Sequence, residues 1–273
     1  MAIASYICNG FCKSPTREDR RRGFSELRFW NPTAFETSVG MRVYFADRAP
    51  VDLPEIRIAP WDNPLLVFPG HDEEVFGEVG PWGMRLVSAV PIMADHILIA
   101  GHAAEGDPMK GDDVPLVRLA GGFFGPKERT QYAGGVGDCL ARWHLSRMWY
   151  FSDGIIIKTD PERPAFPFSE FEWYHILNPG PREARVEMHR YLSGGRHDVV
   201  EHRVGAERVL LISNYDPEAP TAAYGIRFES TEPVCIESER FIYSYKGLDE
   251  WGSHIHCQRP GLPAPLLWYE AAL

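Results

Sequence analysis

Apolar and polar residues alternate with period two in several stretches of the chain. Val39, Met41, Val43 and Phe45 are separated by Gly40, Arg42 and Tyr44, and Val186, Met188 and Leu192 recur with the same spacing around Arg190. Such alternation predicts strands with one buried face. The runs Pro91–Ala100 and Pro233–Tyr243 are rich in β-branched and aromatic residues. Each opens on a proline, where a missing amide hydrogen costs no ladder bond. Turn signals separate the runs: NPT, DRAP, NPG, SGG and NYDPEAP. Short strands at about ten-residue spacing predict an antiparallel sandwich or jelly roll. A short helix is expected over Leu140–Met148. No longer amphipathic helix is legible, which argues against a Rossmann or TIM architecture.

The pattern is written twice. Tyr6-Ile-Cys-Asn-Gly10-Phe11 matches Tyr150-Phe-Ser-Asp-Gly154-Ile155, and FSEL (24–27) matches FSEF (168–171). Asn31-Pro32 recurs as Asn178-Pro179. LLVF (65–68) faces VLLI (209–212), and the stretch Gly83–Ile92 matches Gly225–Val234. The matches keep the same order, and repeats at a long fixed offset are read before anything else. The expected fold class is therefore all-β, with two tandem jelly-roll-like antiparallel β-sandwich domains related by internal duplication. They are placed at 1–125 and 148–273, with 126–147 as a connection holding the short helix.

Composition narrows the function. Of 273 residues, 44% are hydrophobic and 24% charged, which excludes a mainly disordered chain. The 25 glycines and 23 prolines are the turn inventory of many short strands. Lys and Arg number 28 against 38 Asp and Glu, a net charge of −10. Nucleic-acid and anionic-membrane binders need the opposite sign. No apolar run is long enough to span a membrane. The first residues lack a basic segment followed by a long apolar one, so no signal peptide is expected. Cys8, Cys12, Cys139, Cys235 and Cys257 are odd in number and scattered, the pattern of free thiols in a cytoplasmic protein. Cys8 and Cys12 have no second close pair, so no zinc centre is predicted.

Each repeat resembles the sensory rhodopsin transducer family. In the second repeat the likeness runs through WYFSDGI (149–155), HILNPG (175–180), VEMHRYLSGGR (186–196) and GIRFESTEPVCIESERF (225–241). In the first it runs through FWNP (29–32), VGMRVYFADR (39–48) and SAVPIMADHI (88–97). His96 falls where the family carries a histidine after its Val-Pro-Ile strand, and the second repeat has Ser238 there. The resemblance implies a jelly-roll sandwich that assembles as a ring-like tetramer of single domains. A tandem copy then implies a homodimer giving a four-domain ring. The founding member of the family partners a photoreceptor, but the tandem arrangement departs from the single-domain pattern, and fold likeness alone does not carry function.

Several constellations are candidates for chemistry. Glu237 and Glu239 point the same way along a strand, and Asp95 stands on the equivalent strand of the first repeat. Paired carboxylates serve as general acid and base, or present themselves to a sugar or a metal; the alternative is a solvated outward face. His96, on the opposite side from Asp95, is a ligand contact or a packed core histidine. His254 and His256 put two imidazoles on one side of an extended segment. His189, His197 and His202 are read as surface histidines. Trp82 and Trp251 sit in loop-like Gly-rich contexts, and with Tyr245 they make candidate aromatic platforms for a carbohydrate. Phosphate-loop, dinucleotide and nucleophile-elbow motifs are absent from the sequence, so no cofactor and no metal is predicted. The expected function is a binding or sensory-type protein for a small polar ligand, with a carbohydrate as the expected class, or for a protein partner. The alternative is a carbohydrate-active hydrolase or isomerase using acids and histidines in a cleft between the repeats.

Overall fold

The alternation over Thr37–Phe45 resolves into a strand in which Thr37, Val39, Met41, Val43 and Phe45 are all buried. The structure is a computed structural model that describes residues 2–12, 21–68, 75, 79–103, 117–119, 122–124, 132–140, 145–156, 168–213, 222–244, 253–260 and 262–263. The first half contributes β1 (Ile3–Cys12), β2 (Arg21–Trp30), β3 (Thr37–Phe45), β4 (Val51–Ile58), β5 (Leu65–Phe68), β6 (Val79–Ser88), β7 (Met93–Ala103), β8 (Val117–Leu119), β9 (Gly122–Phe124) and β10 (Tyr132–Leu140). The second contributes β11 (Ser146–Ile156), β12 (Phe168–Asn178), β13 (Ala184–Leu192), β14 (His197–Val204), β15 (Arg208–Ser213), β16 (Ala222–Ser244), β17 (Ser253–Pro260) and β18 (Leu262–Pro263).

The chain is an all-β protein of antiparallel sheets packed as sandwiches. The first half stacks a sheet of order β1-β6-β3-β4 on one of order β10-β7-β2-β5. In the second half β11-β16-β13-β14 run in one sheet, and β16 continues into a second, where it pairs with β12 and β17 while β15 pairs with β12. The strand orders of the two halves correspond if β16 stands for β6 and β7 together. Pro233 lies where β16 leaves one sheet for the other, so its missing amide hydrogen breaks no ladder.

Apolar side chains of both sheets fill the first sandwich, among them Leu27, Phe29, Val39, Met41, Val43, Trp82, Met84 and Leu86. The corresponding core of the second half is built on Trp149, Phe151, Tyr174, Ile176, Val186, Met188, Ile226 and Phe228. The surface role expected of Trp82 is overturned: it is fully buried on β6. Its Gly-Pro-Trp-Gly context marks close packing rather than a loop. A Cβ on Gly10 would strike the Trp82 ring, and one on Gly83 would come within 2.9 Å of the Ile7 carbonyl. Gly154 makes the same room for the Tyr224 ring. Gly10 and Gly154 both follow a register irregularity in their strand pairs.

Asn31 and Asn178 close corresponding turns. The Asn31 amide donates to the carbonyls of Phe35 (2.7 Å), Ile58 (3.4 Å) and Ala59 (3.1 Å). That of Asn178 donates to Arg182 (2.7 Å), Val204 (3.2 Å) and Gly205 (2.9 Å). The backbone amides of Thr33 and Gly180 bond back to the two side-chain oxygens.

The expected short helix over Leu140–Met148 is not borne out. Leu140 ends β10, Ser146 opens β11, and 141–144 lie outside the described residues. β10 itself lies within the span read as a connection, yet it pairs with β7 and belongs to the sheet of the first half.

Candidate functional site

The two halves meet through faces that do not correspond: the β1-β6-β3 sheet of the first packs on β12, β15 and β16 of the second. From the first half, Cys8 on β1, Tyr44 on β3 and Gly83 on β6 face the second. Tyr44 is fully buried although it stands on the outward side of β3, because the second half covers it. Cys8 donates its backbone amide (3.2 Å) and its thiol (3.3 Å) to Glu237, and its thiol also approaches the His175 carbonyl (3.5 Å). A Cβ on Gly83 would lie 3.1 Å from Val209 and 3.2 Å from Leu177 of the second half, so the glycine admits those side chains. At the rim Arg42 bonds Glu207 (3.0 Å) as well as Asp52 (2.8 Å). Burial pushes the Tyr6 and Tyr44 phenols above their ordinary pKa.

β12 is consequently buried on both sides, with Tyr174 and Ile176 toward its own core and His175 and Leu177 toward the first half. A strand buried on both faces loses the alternation that marks a half-exposed one. Beside the sandwich core, Glu172 is wholly buried and accepts hydrogen bonds from the Tyr174 (2.6 Å) and Tyr224 (2.5 Å) hydroxyls.

The matching face of the first half is open. Arg28 and Trp30 on β2, Leu65 on β5, Met93 and Asp95 on β7, and Asn63 line a cleft of about 710 Å³. Arg28 stands opposite Asp95, and Trp30 opposite Met93. Trp30 is 44% exposed, Leu65 48% and Met93 38%. By strand register these positions correspond to His175, Leu177, Leu211, Cys235 and Glu237, the surface that the first half covers in the second.

The second half keeps a complementary open face. Glu187, His189 and Tyr191 on β13 adjoin Arg227 and Glu229 on β16 and His197 on β14. His189 and Tyr191 both stack on His197, and Arg227 lies over the Tyr191 ring. Tyr191 is 42% exposed. His189, read from the sequence as a surface histidine, is buried between its strand neighbours.

The structure does not assemble the predicted acids into one site. Glu237 is 1% exposed inside the junction, which overturns its reading as a solvated or substrate-facing carboxylate. Asp95 lines the open cleft of the other half. The Glu239 backbone pairs with Trp173 and Gln258, and its side chain lies outside the described residues. His96 is fully buried edge-on to Trp82 (5.5 Å), so its ring packs in the core of the first half. His254 and His256 lie on β17 opposite Tyr243 and Phe241, with side chains outside the described residues. Tyr245 and Trp251 fall outside them altogether. Sequence reasoning missed Cys8 as a partner of Glu237, and it missed the cleft at Arg28 and Trp30. The signal lay in comparing the two halves: by register, polar Arg28 and bulky Trp30 stand where the second carries His175 and Leu177.

No protein-family model and no curated protein matches the chain. Among solved structures, Thermotoga maritima 1070 is similar over 44% of this chain and 95% of its own, at 19% identity and a TM-score of 0.35. The Anabaena sensory rhodopsin transducer is a weak structural neighbour, over 34% of this chain and 85% of its own, at 15% identity and a TM-score of 0.29. A calcium-binding mutant of Bacteroides uniformis beta-glucuronidase 2 is similar over 92% of this chain and 28% of its own, at 11% identity and a TM-score of 0.20. Among the described residues no helix is long and apolar enough to cross a membrane.

Proposed function

We propose that this chain is a cytoplasmic binding protein of the sensory rhodopsin transducer type, built by duplication of one sandwich unit, that works by docking a protein partner. The observation that carries this reading is the unequal fate of two corresponding faces. In the second half the face of β12, β15 and β16 is covered by the first half; in the first half the face of β2, β5 and β7 is open, with Trp30, Leu65 and Met93 exposed. The duplication is supported by the paired asparagine turns and by the Gly10–Trp82 and Gly154–Tyr224 contacts. A positive φ at Trp61 and at Glu207, in corresponding turns, adds to it.

The partner that best fits the open cleft is a second copy of the chain. Tyr150, Tyr191 and Gly225 stand in the second half where Tyr6, Tyr44 and Gly83 stand in the first, so the free face of one copy has the layout of the face already used within the chain. Head-to-tail contacts close into rings when the rotation permits. Two copies would then form a ring of four sandwiches.

Sedimentation of the whole chain tests this. A dimer is expected. Trp30→Glu and Tyr191→Glu should each give monomers, and mixing the two variants should restore dimers, because one of the two contacts is then intact. A monomeric wild-type chain, or a dimer indifferent to both changes, overturns the assembly.

One observation favours a small polar ligand as a second reading. Trp30 lies beside Arg28, Asn63 and Asp95, an aromatic surface ringed by hydrogen-bonding groups of the kind that suits a sugar. A glycan screen read by thermal shift checks it, and any hit should vanish in Trp30→Ala. Hydrolysis by paired acids has less support: the described lining of the cleft holds the single carboxylate of Asp95, and Glu237 is shut in the junction.

A further inference from the structure

The open face of the second half carries, beside Tyr191, a group of side chains with ligand chemistry of its own. Glu187, His189 and Glu229 each present one ligand atom, and these atoms lie within 4.8 Å of one another. His189 Nε2 is 3.5 Å from a Glu187 oxygen and 3.9 Å from a Glu229 oxygen. That nitrogen is buried and makes no hydrogen bond, in a residue only 8% exposed. The other ring nitrogen, Nδ1, is 3.3 Å from His197 Nε2. When Nδ1 carries the proton and donates it to His197, Nε2 turns a lone pair toward two carboxylates. A cation among the three would draw that lone pair and the two carboxylates onto one centre.

The surroundings position the ligands. Arg227 lies 2.7 Å from the same Glu229 oxygen that faces His189, so a bound ion shares that oxygen with the guanidinium or takes the other one, and Arg185 lies 3.8 Å from the Glu187 oxygen that faces away from His189. His197 stacks on the His189 ring and orients it. Outer contacts of this kind fix ligand geometry in metal sites. The Glu187 and Glu229 side chains are 35% and 38% exposed, leaving a path from solvent and an open position for water. The fold itself does not demand the group: Gly40, Arg42 and Val87 occupy the corresponding register of the first half, where Arg42 is engaged by Asp52 and Glu207.

We infer that Glu187, His189 and Glu229 form a binding site for a divalent transition-metal cation on the open face of the second half. One imidazole and two carboxylates suit zinc and its first-row neighbours, and three protein ligands with an exposed fourth position leave room for water.

The test is calorimetric titration of the chelator-washed full-length chain with zinc chloride. One zinc per chain is expected. Glu187→Gln and Glu229→Gln should each weaken it at least about tenfold, the loss that even outer-shell changes produce. Both residues are partly exposed, so unchanged melting of these variants without metal separates a lost ligand from a lost fold. Cobalt substituted for zinc should show a visible spectrum that disappears in His189→Gln. Absence of saturable zinc binding overturns the inference. So does one-per-chain binding that is unchanged in the Glu187→Gln, Glu229→Gln double variant, since the metal then sits elsewhere. The site lies on the face that the proposed dimer would cover, so the same titration of the Trp30→Glu variant, which is expected to be monomeric, separates a failed site from one covered by a second copy.

Discussion

Glu237 in the second half accepts hydrogen bonds from both the amide and the thiol of Cys8, 229 residues earlier in the first. The bond crosses the junction, and Glu237 is almost wholly buried within it. A carboxylate there holds two sandwiches in register rather than meeting a substrate.

Replacing that acceptor should weaken the fold. Glu237→Met leaves the buried Cys8 amide without this partner, at a cost of about 1–3 kcal/mol. Glu237→Gln keeps an accepting oxygen and should cost less. Urea unfolding of the three proteins measures both. A Glu237→Met variant as stable as the wild type would show that the junction does not depend on the bond.

The two ring-covered glycines should be intolerant in the same way. Gly10→Ala drives a methyl into Trp82, and Gly154→Ala drives one into Tyr224. Overpacking of a filled core typically costs about 1–3 kcal/mol. Both variants should melt lower, whereas Gly194→Ser, at a turn with nothing within 4 Å but a φ of +83°, should suffer only from backbone strain. Thermal unfolding followed by circular dichroism compares the three.

Acid should weaken the fold through His202. Burial holds its pKa below the ordinary 6.5, and its Nε2 makes no hydrogen bond among the described residues. The unfolded chain therefore takes up a proton near pH 6.5 that the folded chain still refuses. Stability contributed by the neutral ring is complete above about 6.5 and is lost as the pH falls from there through the folded pKa. His202→Gln should flatten that part of the stability curve. Urea midpoints at pH 7.5 and 5.5 for both proteins check the slope; an equal drop in the two would assign the acid sensitivity to other groups.

Much of the architecture was legible before any coordinates. Period-two alternation placed β3 and β13, because a strand with one wet face must alternate. The Asn-Pro and Gly landmarks fell at turns closed by Asn31 and Asn178 and at strand irregularities before Gly10 and Gly154. Trp82 was misplaced because glycine and proline around a tryptophan signal a loop in sequence. Only packing shows that Gly83 admits side chains of the other half and that Gly10, far away in the sequence, clears the space for the ring. His175 and Leu177 sit in a strand whose second buried face has no period of its own, so the junction left no local mark.

The sequence by itself determined an acidic, β-rich chain, because composition and short-range alternation are properties of neighbouring residues. Tertiary structure alone decided which face of each part is covered. It shut Glu237 and His175 into a junction, left Arg28, Trp30 and Asp95 around an open cleft, and gathered Glu187, His189 and Glu229 on the opposite free face. Equivalent positions in the two halves have different fates because the halves pack through opposite faces, and that packing is set by contacts between residues far apart in the chain.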